Sequence, residues 1–192
     1  MEKIRSFIAI KLPDNVREHL AGISDRIKRE CSAPVKWVSM EHMHLTLKFL
    51  GDVEAGKIPL VLEALGEAAK GKSSLSLKTA ETGGFPSPQR VRIIWAGLEG
   101  DVSPLADFQR EIEKRLGPLG FPEETRAFTP HLTLGRVKER ASSDQQAELG
   151  TTIGKYSGLK PVSFTVSAVY LIKSVLTPRG PQYTELGSVR LG

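Results

Sequence analysis

The sequence predicts an α+β fold: two pseudo-two-fold-related lobes, each an antiparallel sheet backed by helices, around a central cleft. Three observations predict it. Segments with the two-residue period of half-buried strands alternate with segments of helical period along the chain. The tetrapeptide His-Leu-Thr-Leu occurs twice, at 44–47 and at 131–134. Each copy sits at the matching point of a half-chain that reads strand, helix, motif strand, helix, strand. The 192 residues are read as one two-lobed domain, 1–192.

Lys3–Lys11 alternates as a strand, with Ile4, Ile8 and Ile10 on one face. Pro13 and Asp14 open a helix with Asp14 as N-cap, and Val16, Leu20, Ile23 and Ile27 form its buried stripe. Residues 35–38 make a short strand. Residues 43–50 make the first motif strand, closed by Gly51-Asp52. A second helix covers Ile58–Ala69, with Pro59 tolerated in its first turn and Leu62, Leu65 and Ala69 inward. Leu75, Leu77 and Thr79 alternate as a strand, and the glycines and prolines of 83–88 predict a loop joining the lobes. In the second half, 91–98 is a buried strand and 103–116 a helix with the stripe Leu105, Phe108, Ile112, Leu116. The second motif strand is 130–137, followed by a helix at 143–149. A long strand at 162–173 pairs with 183–189 across a turn at 177–181.

Composition narrows the function classes. An apolar fraction of 40% suits a globular core, and no apolar run is long enough to span a bilayer. The N-terminal segment lacks the pattern of a signal peptide, so a cytoplasmic location is expected, and the chain is expected to be a monomer. The single cysteine, Cys31, excludes an internal disulfide framework and a multi-cysteine zinc site. The net charge of +5 favours polyanions such as RNA or phosphorylated small molecules. Two tryptophans and three tyrosines leave little aromatic surface for a stacking platform.

Chemistry concentrates at the repeated tetrapeptide. Three of the four histidines lie at or beside it, and His19 adjoins a helix stripe as a boundary residue. On a strand, His44 and Thr46 share one face and Leu45 and Leu47 the other, as do His131 and Thr133 against Leu132 and Leu134. Two such strands facing each other place two imidazoles and two hydroxyls around one atom. In-line displacement at phosphorus uses such a set. One imidazole takes a proton from water and the other gives one to the leaving oxygen, roles that imidazole suits because its unperturbed pKa lies near working pH. The threonine hydroxyls hold the non-bridging oxygens. Strand parity puts Lys48 on the face of His44 and Thr46, within reach of a phosphate, and gives Gly135 the matching place, leaving room for substrate. Arg136 points away on an ideal strand and enters only if the strand bends, while Arg126 reaches the cleft from the preceding loop.

These motifs resemble the 2H phosphoesterase superfamily, and within it the RNA 2′,3′-cyclic phosphodiesterases, historically called 2′-5′ RNA ligases. Arg5-Ser6-Phe7-Ile8-Ala9-Ile10, Trp37, His44 through Gly51, Gly84-Phe85-Pro86, Arg92 through Leu98, Phe128 through Arg136 and the 174–183 hairpin carry the resemblance. It implies a metal-free, cofactor-free hydrolysis of RNA 2′,3′-cyclic phosphate ends, tRNA fragments among them, to 2′-phosphomonoesters. It further implies His44 as proton donor, His131 as proton acceptor, and 2′-5′ ligation as a related activity. His42 departs from the asparagine often found there. Two alternatives stay open: an RNA-binding protein using the basic cleft without turnover, and a metal-dependent phosphodiesterase using His42 and His44, with Asp52 or His131 as third ligand.

Overall fold

The computed structural model describes residues 2–178 and 180–192. Its elements, in chain order, are β1 (Lys3–Lys11), α1 (Asp14–Glu30), β2 (Val35–Trp37), β3 (His44–Glu54), α2 (Ile58–Ala69), β4 (Leu75–Ser87) and β5 (Arg90–Gly100). They continue with α3 (Val102–Leu116), β6 (His131–Val137), α4 (Ser143–Gly154), β7 (Ser163–Val166), β8 (Ala168–Thr177) and β9 (Gly180–Arg190). Two antiparallel sheets form, ordered β3-β1-β8-β9 and β2-β6-β5-β4-β7. Helices α2 and α3 back the first, against β9 and β3, whereas α1 and α4 back the second, against β6 and β5. The class is α+β with two lobes, as the repeat predicts.

The helical stripes explain this layering. Val16, Leu20, Ile23 and Ile27 of α1 are buried, as are Leu105, Phe108, Ile112 and Leu116 of α3. In α2 the buried set is Val61, Leu65, Ala68 and Ala69, and Leu62 lies half-buried against Gly187 of β9. The core faces of β1 contribute Ile8 and Ile10, both essentially inaccessible. Pro13, rather than Asp14, occupies the N-cap of α1 and offers no side-chain cap.

Three expectations change. The 83–88 run is not a linker: Gly83, Gly84, Phe85 and Pro86 lie in β4, which turns through Pro88-Gln89 directly into β5. Gly83 and Gly84 serve close packing, since a Cβ on Gly83 would lie 2.3 Å from the Trp95 ring. The 162–173 strand is two strands in different sheets, broken at Ser167. The lobes are therefore not the sequence halves: β4 leaves the first half for the sheet of β5 and β6, and β8 leaves the second for the sheet of β1 and β3. The 177–181 turn includes Arg179, which lies outside the described residues, although β8 and β9 pair on either side of it.

The first motif strand also runs past Gly51, at φ +68°, as far as Glu54. It is bulged against β1 at two places, one of them at Leu47 between the Thr46–Ala9 and Lys48–Ile8 pairs. The bulge is braced from below. Gln109 of α3 donates to the Leu47 carbonyl at 3.3 Å and to Glu113 at 2.8 Å, and Lys48 donates to Glu113 and to the Pro122 carbonyl. The Lys48 and Glu113 side chains are only 6% and 7% exposed.

Removing one member of such a pair strands the other in the interior. Glu113→Ala is expected to cost about 3–5 kcal/mol in urea unfolding, and the double replacement Lys48→Met with Glu113→Leu to recover most of it. Equal losses in the single and double variants would show that the pair itself does not brace the bulge.

Candidate active site

Each motif histidine is held by the backbone just before it. The Nδ1–H of His44 donates to the His42 carbonyl at 2.7 Å, and that of His131 donates to the Thr129 carbonyl at 2.7 Å. A carbonyl only accepts, so Nδ1 keeps its proton in either charge state and Nε2 is the atom left for chemistry. Phe7 lies against the His44 ring at 4.8 Å, and Phe85 meets the His131 ring edge-on at 5.2 Å. The two strands share no hydrogen-bond ladder, yet their Cα traces come within 8 Å of one another. The four residues read from the motif thus fall on two facing strands. Among the described hydrogen bonds, neither threonine hydroxyl is engaged.

Antiparallel partners share a face, so the registers show which neighbours join the histidines. On β1 these are Lys11 opposite His44, Ala9 opposite Thr46 and Phe7 opposite Phe49. The Leu47 bulge reverses strand parity, and Lys48 turns into the core while Phe49 turns to the cleft, 67% exposed. Lys48 therefore does not share the histidine face, contrary to the alternation, and its ammonium is spent on Glu113. A matching bulge at Leu134, between the Trp95–Thr133 and Ile94–Gly135 pairs, has the same effect on β6. There the Leu134 carbonyl accepts from the Val38 N–H at 2.9 Å. Gly135 turns away from the cleft, where a Cβ would meet Val35 at 2.7 Å and Trp37 at 3.2 Å, so it makes room for β2 rather than for substrate. Arg136 turns inward, exposed, onto the face of His131 and Thr133. Arg126 is exposed in the loop before β6, and its side chain has no hydrogen-bond or ion-pair partner among the described residues.

Tyr183 of β9 is the residue that motif reading missed. Its ring meets Phe7 at 5.1 Å, His42 at 4.9 Å and His44 at 5.5 Å, all edge-on. With Phe7, Ala9, Ile172 and Tyr170 it forms an apolar floor separate from the main core. The only sequence signal was its place in the terminal hairpin. Burial pushes the Tyr183 phenol up, and the guanidinium groups of Arg136 and Arg5 oppose that rise. Arg136 belongs to the second sheet and Tyr183 to the first, so the phenol lies within electrostatic reach of both walls of the cleft.

Burial also holds the His44 imidazole below its ordinary pKa. The bond to the His42 carbonyl opposes the shift, and charge on His42 adds to it. His42 itself is fixed by the Ser39 hydroxyl, 2.8 Å from its Nδ1. No group of three or more metal-binding side chains occurs among the described residues, so His42 and His44 gain no third ligand there from Asp52 or His131. His19 lies on α1, its pKa lowered by burial and then by Arg26, and burial raises the half-buried Cys31 thiol. Neither has a place among the groups around His44 and His131. No helix among the described residues is long and apolar enough to cross a membrane.

In the free protein, imidazole nitrogen NMR is expected to find the neutral His44 ring protonated at Nδ1 and titrating below about 6.5. Inorganic phosphate in the cleft should raise that midpoint, because an anion favours the imidazolium. A neutral ring protonated at Nε2 would contradict the carbonyl-anchored arrangement.

The sequence profile of the LigT-like phosphoesterases matches residues 10–95 and 99–183, one His-Leu-Thr-Leu in each block. The RNA 2′,3′-cyclic phosphodiesterase of Methanothermobacter thermautotrophicus is 37% identical over 189 residues, spanning 98% of this chain and 100% of the relative. A crystal structure of a Thermus thermophilus protein superposes with a TM-score of 0.78 at 26% identity, covering 98% of both chains. E. coli LigT complexed with 3′-AMP does so with a TM-score of 0.76 at 25% identity, covering 99% of both. The swapped strands, the paired histidine–threonine motifs and this full-length likeness agree, and the chain belongs to the LigT-like phosphoesterase family.

Proposed function

We propose that this protein hydrolyses the 2′,3′-cyclic phosphate end of RNA to a 2′-phosphomonoester, without a metal, by acid–base action of His44 and His131. The observation that carries this reading is the pair of Nδ1-to-carbonyl bonds, which reserves both Nε2 atoms for proton transfer. The names of the relatives, RNA 2′,3′-cyclic phosphodiesterases, and the 3′-AMP bound to E. coli LigT support the substrate class. The protein acts as a single two-lobed domain and as a cytoplasmic monomer, on RNA ends that include tRNA fragments.

The steps take the acid and base roles that the family resemblance implies. A water attacks phosphorus from the His131 side, and His131 Nε2 takes its proton. The bond from phosphorus to the 3′ oxygen breaks on the opposite side, and His44 Nε2–H protonates that oxygen. Thr46, Thr133 and Arg136 donate to the non-bridging oxygens as charge builds there. With a 5′-hydroxyl RNA end in place of water as nucleophile, the same groups break the same phosphorus–3′ oxygen bond and make a 2′-5′ linkage.

One observation favours the opposite assignment. Burial of His44 disfavours its protonated form, which suits a base better than an acid. A bound phosphodiester supplies the negative charge that reverses this preference, and we assign the roles for the complex. The two assignments part on a substrate whose leaving group needs no protonation, such as a nitrophenyl phosphodiester. His44→Ala should then lose far less activity than on RNA, whereas His131→Ala should lose the same on both. The reverse pattern makes His44 the base.

On a short RNA with a 2′,3′-cyclic end, the expected product is a 2′-phosphate, formed equally with and without EDTA. Either alanine variant should slow turnover about 10²–10⁴-fold, and Thr46→Ala or Thr133→Ala by less. Activity lost in EDTA and restored by zinc would establish the metal-dependent alternative. Tight binding without product would establish the RNA-binding one.

A further inference from the structure

Beyond the two bulges, the walls of the cleft carry exposed groups that the phosphoryl chemistry does not use. Phe49, 67% exposed, stands on the cleft face with its ring 6.1 Å from Phe7. Lys36 belongs to β2 in the other sheet. Lys36 is the register partner of Arg136, and its neighbour Trp37 turns to the other side, where Lys28 of α1 sits 5.4 Å over the indole. Lys36 must therefore face the cleft. Arg5, two residues before Phe7 on β1, shares that face and acts with Arg136 on the Tyr183 phenol. Arg5 and Lys36 are exposed, and among the described residues neither has a carboxylate within ion-pair distance, even though Asp52 is the register partner of Arg5.

An exposed aromatic ring and unpaired cations on the walls of one cleft are poorly explained by folding, because none of these groups is buried or satisfied by the protein. It matches the needs of a single nucleic-acid strand, whose bases stack on aromatic faces while its phosphates run along basic side chains. A cyclic mononucleotide is limited to the histidine–threonine site and has no further phosphate for these residues to hold. We propose that Phe49, Arg5 and Lys36 form a track for the nucleotides just 5′ of the cyclic end. The enzyme would then select single-stranded RNA oligonucleotides over cyclic mononucleotides. This inference rests on the proposed hydrolysis at the same site.

The test compares a 2′,3′-cyclic mononucleotide with a short RNA oligonucleotide ending in the same cyclic nucleotide. For the natural protein, kcat/KM for the oligonucleotide should be higher and should fall more steeply with salt, by a log–log slope of about 0.7 for each added phosphate contact. Phe49→Ala and Lys36→Glu should each raise the oligonucleotide KM about ten-fold, with Lys36→Arg close to the natural protein. Mononucleotide kinetics in these variants should change less than about two-fold. Equal salt slopes for the two substrates, or equal losses on both, would overturn the track while leaving the hydrolase intact. A natural protein that hydrolyses neither substrate would overturn the hydrolase and the track together.

Discussion

One extra residue in each motif strand decides what faces the cleft. An unbulged β3 would carry Lys48 beside His44, and an unbulged β6 would carry Gly135 beside His131. The bulges at Leu47 and Leu134 reverse both outcomes and deliver Phe49 to one wall and Arg136 to the other. A bulge leaves a backbone carbonyl outside the ladder, and an unsatisfied one would be costly in a buried strand. The fold satisfies both: Gln109 takes the Leu47 carbonyl and the Val38 N–H takes that of Leu134. The buried Lys48–Glu113 pair then ties β3 to α3 and to the loop that leads into β6. The first motif is thus anchored to the chain that presents the second.

The pseudo-symmetry is strict in backbone and loose in chemistry. Both imidazoles donate Nδ1–H to the carbonyl two residues earlier, and both strands bulge one residue after the threonine. The surroundings differ. His44 lies among Phe7, Tyr183 and the neighbouring His42, and burial depresses its pKa. His131 has Phe85 at its edge and Gly97 as its register partner, where His44 has Lys11. A two-fold frame that holds two identical groups in unlike environments is a physical route to one acid and one base. Phe49 and Arg136 complete the asymmetry, with an aromatic ring on one wall and a guanidinium on the other.

Much of this was legible in the sequence because it depends on periodicity. The strands around both motifs, the stripes of α1 and α3 and the extent of α2 follow from local spacing of apolar residues. What stayed hidden depends on contacts distant in sequence. Strand parity misplaced Lys48 and Gly135, since a bulge is visible only from the partner strand. The glycines of β4 read as a loop because their reason, the Trp95 ring and Val91, lies across a hairpin. The exchange of β4 and β8 between sheets, and the break at Ser167, are matters of topology that no local window contains. Tyr183 arrives from the last strand of the chain, and its closeness to His44 had no local signal. Arg136 enters the cleft only if its strand bends, and the bulge at Leu134 supplies that bend.

The proposed hydrolysis needs two imidazoles acting together, one protonated and one neutral. The pH dependence of kcat/KM on a cyclic-phosphate RNA tests it most directly. The expected profile is a bell, with an acid limb where the base takes up a proton and an alkaline limb where the acid loses its own, both belonging to the coupled pair. A flat profile from about pH 5 to 8, with chemistry limiting, would contradict it.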